Sequence, residues 1–263
     1  MELGLRGRSA LIGGASKGLG RACAEELAAE GCRLVLWSRG GGALKAAADE
    51  IRRRHGVEVH TAAADAADPD APAKVVQQAI DALGRVDILV LNQGGPPPVD
   101  PTATHPKGWQ QAFQLLAITP ISVATAFLPA MREQRWGRVV AILSSTIRHP
   151  IPNLVYSTAG RSALAGWLKT TATAVAKDGV TINGVLPGRL DTARVAQLDA
   201  QRAEAEGRSP AEARAASEAS IPIGRYGRPE ELASLVAYLC SDRGSYVTGA
   251  FIAVDGGLLQ TLM

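Results

Sequence analysis

The stretch Ser9 to Gly20, SALIGGASKGLG, decides how the rest of the chain is interpreted. An apolar run without alternation ends at a glycine pair, and Gly14, Gly18 and Gly20 then open a segment with helical spacing. Glycines between a strand and a helix let the backbone approach a phosphate, to which the helix N-terminus presents free N–H groups. The stretch therefore predicts a strand, a dinucleotide-binding loop and a helix.

The same alternation of short apolar runs and helical patterns continues along the chain. Strand-like runs are RLVLWS, VEVHTAA, VDILVLNQ, GRVVAILSS and VTINGVLPG, with helical patterns such as ALKAAADEIRRR and APAKVVQQAIDAL between them. Runs that are apolar throughout indicate strands buried on both faces, as in a parallel sheet covered by helices. We predict an α/β fold with a doubly wound parallel sheet (Rossmann-type), in a single domain over residues 1–263.

One insertion, residues 189–222, is long, polar and rich in alanine. It follows a predicted strand, where ligands bind on such sheets, so it could act as a lid. The alternative is a solvated surface helix.

Composition narrows the classes of partner and the compartment. The chain has 28 Lys and Arg against 25 Asp and Glu, spread along its length, which disfavours nucleic acid and membrane partners. The three cysteines, Cys23, Cys32 and Cys240, form no CxxC pair, which suits a reducing compartment. No apolar run approaches the roughly 18 residues of a membrane span, and the N-terminal residues lack a signal-peptide core. We expect a cytoplasmic protein.

The chain resembles the short-chain dehydrogenase/reductase family, in particular members related to 3-oxoacyl-carrier-protein reductases. The resemblance is carried by GGASKGLG in place of TGxxxGxG, LNQGG in place of NNAG, and by LPG, IPIGRYGRPEE and YVTGAFIAVDGG. It implies a sheet of about seven strands, a small-molecule or acyl-type substrate, and assembly as a homotetramer or homodimer.

The end of the second predicted strand indicates which nicotinamide cofactor is bound. An acidic residue there would pair with the ribose of NAD, but this chain has Ser38 and Arg39. Arg39 and Lys17 could hold a 2′-phosphate, so NADP(H) is expected in preference to NAD(H); the alternative is that both are solvated loop charges. With the contacts that the resemblance implies, the candidate cofactor-binding residues are Gly14, Ser16, Lys17, Gly18, Leu19, Gly20, Ser38, Arg39, Asp65, Ala66, Asn92, Gly94, Arg161, Pro187, Gly188, Leu190 and Thr192.

The expected catalytic positions of the family are largely substituted. Family members use a serine after the fifth strand, a YxxxK pair on the next helix, and an asparagine on the preceding helix. Ungapped counting puts Ser144, Ser157, Arg161 and Leu116 at the serine, tyrosine, lysine and asparagine positions. A serine hydroxyl is a far weaker acid than a phenol with a pKa of about 10, and arginine keeps its proton near neutral pH.

The tyrosine of this helix, Tyr156, stands one position early. One helical step turns a side chain by about 100°, so Tyr156 would reach a substrate only if the helix start were unwound or rotated. The alternative is that it packs against the preceding loop. The candidate catalytic residues are therefore Ser144, Tyr156, Ser157 and Arg161.

Charged residues near these positions bear on the substrate. Arg148, His149 and Arg189 fall on loops next to the predicted site, which favours an anionic substrate, although rim charges in water are equally consistent. No second ligand at suitable spacing accompanies His149, so no metal site is predicted.

Two main functions follow. The first is an NAD(P)H-dependent oxidoreductase acting on a carbonyl or hydroxyl group, with an atypical catalytic site. The second is a catalytically impaired dinucleotide-binding protein that serves as a regulator or assembly subunit. Non-redox chemistry on the same scaffold is a third possibility, because a fold does not fix a reaction.

Overall fold

The computed structural model describes residues 2–261, so Met1, Leu262 and Met263 of the predicted domain lie outside it. Seven parallel strands form one sheet in the order β3-β2-β1-β4-β5-β6-β7, which confirms the predicted fold. The strands are β1 Ser9–Gly13, β2 Arg33–Ser38, β3 Val59–Ala63, β4 Ile88–Leu91, β5 Gly137–Ile142, β6 Val180–Pro187 and β7 Phe251–Val254.

Helices connect these strands and cover both faces of the sheet. They are α1 Gly18–Ala29, α2 Gly41–His55, α3 Ala71–Leu83, α4 Pro106–Phe113, α5 Thr119–Glu133, α6 Val155–Val175, α7 Ala193–Glu206, α8 Pro210–Ala219 and α9 Pro229–Cys240. The strand order reverses between β1 and β4, and ligands on such sheets bind beyond the carboxyl ends of the strands at this point.

The core lies in two layers, one on each side of the sheet. Alternate residues of β1 face opposite layers, with Ile12 packed among α1, α2 and α9, and Leu11 among α3, α5 and α6. Because both faces are covered, the strands are apolar at successive positions. This burial explains why their sequence shows no alternation.

A long helical stretch runs through α4, a π-helical turn at Gln114–Ile118, and α5. An 18-residue window within Pro106–Glu133 has a mean hydropathy of 1.6, so by length and composition alone this stretch could cross a membrane. The expectation that no segment reaches this length was therefore wrong. Val123, Phe127 and Met131 of this stretch are buried against the sheet, so its apolar character has a structural cause within the fold.

The insertion after β6 forms α7 and α8, with Ser209 and Glu212 in a reciprocal capping box at the start of α8. The buried carboxylate of Asp199, within α7, attaches this insertion to neighbouring segments. This carboxylate accepts hydrogen bonds from Arg189 Nη1 at 2.6 Å and from the Tyr226 hydroxyl at 2.8 Å. The two helices are thereby attached to the segment that leaves β6.

Candidate active site

A cavity of about 500 Å³ lies at the carboxyl ends of the strands, between the loops that follow β1 to β6 and the start of α7. All the candidate cofactor-binding residues except Gly20 line it, and Ser144 lines it as well. The fold thus brings together residues that are far apart in the sequence. Together they form the wall of one cavity, which reaches from the end of β2 to the start of α7.

The glycine loop has the backbone shape that its sequence requires. Gly14 and Gly18 have φ angles of 58° and 60°, a region that other residues rarely adopt. Gly20 lies behind the cavity wall, where a Cβ would be 2.5 Å from the carbonyl oxygens of Gly13 and Gly14. Gly20 therefore allows α1 to pack closely on β1, and it is not among the residues that line the cavity.

The end of the cavity near β2 has the features of a phosphate site. Lys17 and Arg39 are exposed, and neither takes part in any ion pair found within residues 2–261. The hydroxyl of Ser38 is buried without a hydrogen-bond partner in the described chain. Two unpaired cations, an orphaned hydroxyl and a glycine loop at a helix N-terminus fit a phosphorylated dinucleotide.

Arg161 lies deep in the wall at the opposite side of the cavity. Its Nε donates to Ser157 Oγ at 3.3 Å, Nη1 to the carbonyl oxygen of Ile142 at 2.9 Å, and Nη2 to that of Gln93 at 3.2 Å. Burial, and then the nearby positive charge of Arg194, lower the pKa of the Arg161 guanidinium to about 10. Each terminal nitrogen keeps a second N–H for which no partner is found in the described chain.

Ser144 follows β5 and has a hydroxyl that is oriented by one neighbour. Its Oγ accepts from the backbone N–H of Thr146 at 3.2 Å and from the Thr146 hydroxyl at 2.9 Å. A hydroxyl has two acceptor positions and a single proton, so this arrangement leaves the proton of Ser144 free to donate. Thr146 is buried, which fixes the geometry.

Tyr156 packs against the preceding loop, which is the second of the two positions considered for it. Its hydroxyl accepts from the backbone N–H of His105 at 2.9 Å and donates to the His105 carbonyl at 3.3 Å. Its ring stands edge-on to Trp109, with centroids 4.7 Å apart. Helix α6 begins at Val155 without local unwinding at Tyr156, so the phenol stays outside the cavity lining.

The two other positions identified by counting, Ser157 and Leu116, also lie outside the cavity lining. Ser157 stands behind Gly95, where a Cβ on the glycine would lie 3.8 Å from the serine Oγ, and its hydroxyl accepts from Arg161. Leu116 is buried in the π-helical turn and packs on Gly160, where a Cβ would lie 2.9 Å from the leucine Cβ. An apolar contact thus occupies the position at which the resemblance implies an asparagine.

Two of the three charges that favoured an anionic substrate have partners inside the protein. Arg189 pairs with Asp199, and Arg148 Nη2 donates to the carbonyl oxygen of Phe251 at 2.9 Å. His149 is exposed. The contacts of Arg189 and Arg148 therefore account for them structurally, and neither they nor His149 line the cavity.

Among the residues of the cavity wall that sequence reasoning missed are Arg194 and Gln93, which carry a charged and an amide side chain. Gln93 lies within the LNQGG motif, and Arg194 comes directly after the segment that ends at Thr192. Their positions after strand ends were the available signal. Their side-chain directions depend on contacts with distant segments, as for Arg194 Nη2, which donates to the carbonyl oxygen of Pro96 at 3.0 Å.

Comparison with known proteins places this site in a family. A family model described as enoyl-(acyl carrier protein) reductase matches residues 14–259. The 3-oxoacyl-[acyl-carrier-protein] reductase of Aquifex aeolicus is 31% identical, over 98% of this chain and 100% of its own length. The chain belongs to the short-chain dehydrogenase/reductase family.

Relatives of this short-chain dehydrogenase/reductase act on sugars as well as acyl groups. The L-rhamnose 1-dehydrogenase (NAD(P)(+)) of Azotobacter vinelandii is 33% identical, over 97% of this chain and 98% of its own. The crystal structure of L-sorbose reductase from Gluconobacter frateurii, complexed with NADPH and L-sorbose, has a TM-score of 0.94 and 32% identity, with full coverage of both chains. The proteins named above, which are similar to this chain in sequence or in structure, are therefore oxidoreductases.

Proposed function

We propose that this short-chain dehydrogenase/reductase is an NADPH-dependent oxidoreductase that acts on a carbonyl or hydroxyl group of a small or acyl-type substrate, using an atypical catalytic site. The observation that carries the proposal is the pairing, in one cavity, of a phosphate-binding end at Lys17 and Arg39 with Ser144 and Arg161 at the other. The NADPH held by the similar L-sorbose reductase supports the same cofactor.

The cofactor would be held along the length of the cavity. The glycine loop and the N-terminus of α1 suit the pyrophosphate, and Arg39, Lys17 and Ser38 suit a 2′-phosphate. No carboxylate stands at the end of β2 to favour an unphosphorylated ribose, so NADP(H) is preferred over NAD(H). When bound, the cofactor supplies or accepts the hydride.

Ser144 and Arg161 bind and stabilise the substrate oxygen. The free hydroxyl proton of Ser144 hydrogen-bonds to this oxygen. The unpartnered N–H groups of Arg161 hydrogen-bond to the cofactor ribose and stabilise the negative charge that develops near the substrate oxygen. The described cavity wall carries no phenol or ammonium in the family's catalytic positions. The proton for the substrate oxygen is therefore taken from solvent.

Three further features belong to the same proposal. Helices α7 and α8 form a lid over the cavity, because Arg194 near the start of α7 reaches across to Pro96. The protein assembles as a homotetramer or homodimer, consistent with Ile118 being 51% exposed on the long α4–α5 stretch. It works in the cytoplasm, as its three buried, unpaired cysteines suggest.

The second candidate is a dinucleotide-binding protein with impaired catalysis, serving as a regulator or assembly subunit. The packing of Tyr156 against His105 favours it, because the phenol that the family uses as a proton donor is absent from the cavity. This candidate predicts tight cofactor binding without turnover.

Titration with NADPH and NADH, followed by turnover assays, separates the two. Purified protein is assayed for NADPH oxidation with ketoses, 3-oxoacyl thioesters and oxo acids, and for NADP⁺ reduction with the matching alcohols. Turnover that Ser144→Ala lowers at least about 100-fold would support the oxidoreductase. Tight NADPH binding with no turnover across the panel would favour the second candidate.

A further inference from the structure

No ion pair within the described residues balances the positive charge of Arg194. It is the second residue of α7, at the end of the helix where the macrodipole is positive, and the first turn contains no acidic residue. None of the ion pairs found between residues 2 and 261 includes it. A cation in this place destabilises the helix terminus unless an anion is bound beside it.

A second cation lies near the first. Arg161 shares the cavity wall with Arg194, and the charge of Arg194 helps to lower the pKa of the Arg161 guanidinium. Both side chains reach backbone carbonyl groups, which are neutral partners that leave their charges uncompensated. The acidic residue on the described part of the wall is Asp65, which follows β3 on the other side of β1.

A third donor in the same wall has no partner. Gln93 is 7% exposed, and its side-chain nitrogen is buried without a hydrogen bond within the described chain. Its backbone carbonyl accepts from Arg161, which places the residue beside that guanidinium. Leaving such a buried donor unsatisfied is costly, so an acceptor oxygen is expected here.

These three groups point to one ligand chemistry. We propose that Arg194, together with Gln93 and the free N–H groups of Arg161, selects substrates that carry a carboxylate near the reacting carbonyl or hydroxyl, such as small oxo acids and hydroxy acids. Arg194 is the specificity-determining residue of this group. The inference rests on the proposed function, since it names the substrate class for that site.

The cofactor is the other possible source of an anion. Its phosphates have a separate set of cations, Lys17 and Arg39, at the ends of β1 and β2. Arg194 instead reaches Pro96, in the loop that follows β4, on the side of the cavity where Ser144 and Arg161 lie. A carboxylate held there would lie close to the reacting oxygen.

Binding of matched acids and amides to the complex with NADPH tests the proposal. The probes are 2-oxobutanoate, 3-oxobutanoate and 4-oxopentanoate, each with its neutral primary amide, and binding is followed by calorimetry and by NADPH fluorescence. The variants are Arg194→Gln and Arg194→Lys, with Arg208→Gln as the matched control. Arg208 is an exposed arginine that follows α7 and lies outside the cavity wall.

We expect the wild-type protein to bind at least one acid about tenfold more tightly than its amide. Arg194→Gln should reduce this preference to within about twofold, Arg194→Lys should retain part of it, and Arg208→Gln should leave it intact. The Kd for NADPH should stay within about twofold in all variants.

Several outcomes would overturn the proposal. The wild-type protein could bind acids and amides equally for all three probes, or the acid preference could survive in Arg194→Gln. A Kd for NADPH that rises about tenfold in Arg194→Gln, with equal effects on acid and amide, would assign Arg194 to a cofactor phosphate. Acid binding that depends on Arg194 without turnover of any probe would instead count against the proposed function alone. If NADPH does not bind, the acids and amides are titrated into the protein without cofactor. The same acid-to-amide preferences in the wild-type protein and the variants then decide the outcome.

Discussion

The hydroxyl oxygen of Tyr156 lies 2.9 Å from the backbone nitrogen of His105 and also reaches the carbonyl oxygen of the same residue. Both hydrogen-bonding functions of the phenol are thereby used by one backbone unit. The contact fixes the start of α6 to the start of α4, 51 residues earlier in the chain. The tyrosine that most resembles a catalytic residue in the sequence thus has a structural role.

Tyr156→Phe should therefore affect stability more than turnover. Removal of the hydroxyl leaves the His105 N–H without its partner, and we expect the free energy of unfolding to fall by about 1 kcal/mol. NADPH oxidation should stay within about twofold of wild type. Urea unfolding and initial-rate assays measure the two effects. A large loss of kcat at unchanged stability would mean that the phenol takes part in the reaction.

Thr146→Val should lower kcat through Ser144. Valine keeps the shape of the buried side chain but cannot donate to Ser144 Oγ, so the serine proton loses its fixed direction. We expect a decrease of about tenfold in kcat with little change in KM. Thr146→Ser, which keeps the hydroxyl, should recover most of the rate. Equal activity of the two variants would rule out this positioning role.

The pH dependence of NADPH binding should reflect the buried guanidinium of Arg161. Because burial lowers its pKa to about 10, the side chain loses its charge as the pH rises through that value. The Kd for NADPH should accordingly rise above pH 10, as measured by fluorescence titration between neutral and alkaline pH. In Arg194→Gln the change should move to higher pH, since the charge of Arg194 lowers the same pKa. An unchanged midpoint in this variant would assign the effect to another group.

The same lowered pKa has a consequence for stability with a definite sign. Above pH 10 and below the ordinary pKa range of arginine, the folded protein has lost a proton that the unfolded chain still holds. The contribution of Arg161 to the free energy of unfolding therefore increases with pH in this window. At neutral pH the buried charge opposes folding, which is consistent with a residue kept for binding.

Arg39→Gln should weaken NADPH binding about tenfold and leave NADH binding within about twofold, because only the former carries a 2′-phosphate. Arg53→Gln is the matched control, since Arg53 is an exposed arginine on α2 outside the cavity wall. Calorimetric titration of both cofactors into both variants gives the four constants. Parallel losses for NADPH and NADH would place Arg39 away from the phosphate.

Arg189→Ala should loosen the attachment of α7 and α8 without changing substrate selection. The change leaves the buried Asp199 carboxylate with the Tyr226 hydroxyl as its remaining described partner. We expect a loss of about 2 kcal/mol in stability, below the full cost of breaking a buried pair because Arg189 is partly exposed. Limited proteolysis should cut faster within α7 and α8 than in Arg208→Ala. A selective loss of acid binding would restore Arg189 to the substrate site.

Local sequence patterns predicted the fold well. The run RLVLWS coincides with β2 Arg33–Ser38, and APAKVVQQAIDAL coincides with α3 Ala71–Leu83. These elements follow from apolar runs and helical spacing, which act over a few residues. The glycine loop was recognisable for the same reason, since its turns and its helix lie within one short stretch.

The side chains of the candidate site could not be placed in the same way, because their directions depend on distant partners. Arg194 is held by Pro96, 98 residues earlier, and Arg161 by the carbonyl groups of Gln93 and Ile142. Leu116, in the π-helical turn, packs closely on Gly160 of another helix. Ungapped counting identified the positions of Arg161 and Leu116 but not what each side chain contacts, and it did not identify Arg194.

The contacts of Arg161 also bear on attempts to redesign this protein toward the tyrosine and lysine pair that the resemblance implies. One planar side chain spans the end of β5, the loop after β4 and the first turns of α6. A lysine has a single nitrogen and cannot reach all of these acceptors at once. Replacing both Ser157 and Arg161 would thus remove the hydrogen bonds that connect α6 to the end of β5 and to the loop after β4. Such a redesign would need new partners for the Gln93 and Ile142 carbonyl groups before it could be judged on catalysis.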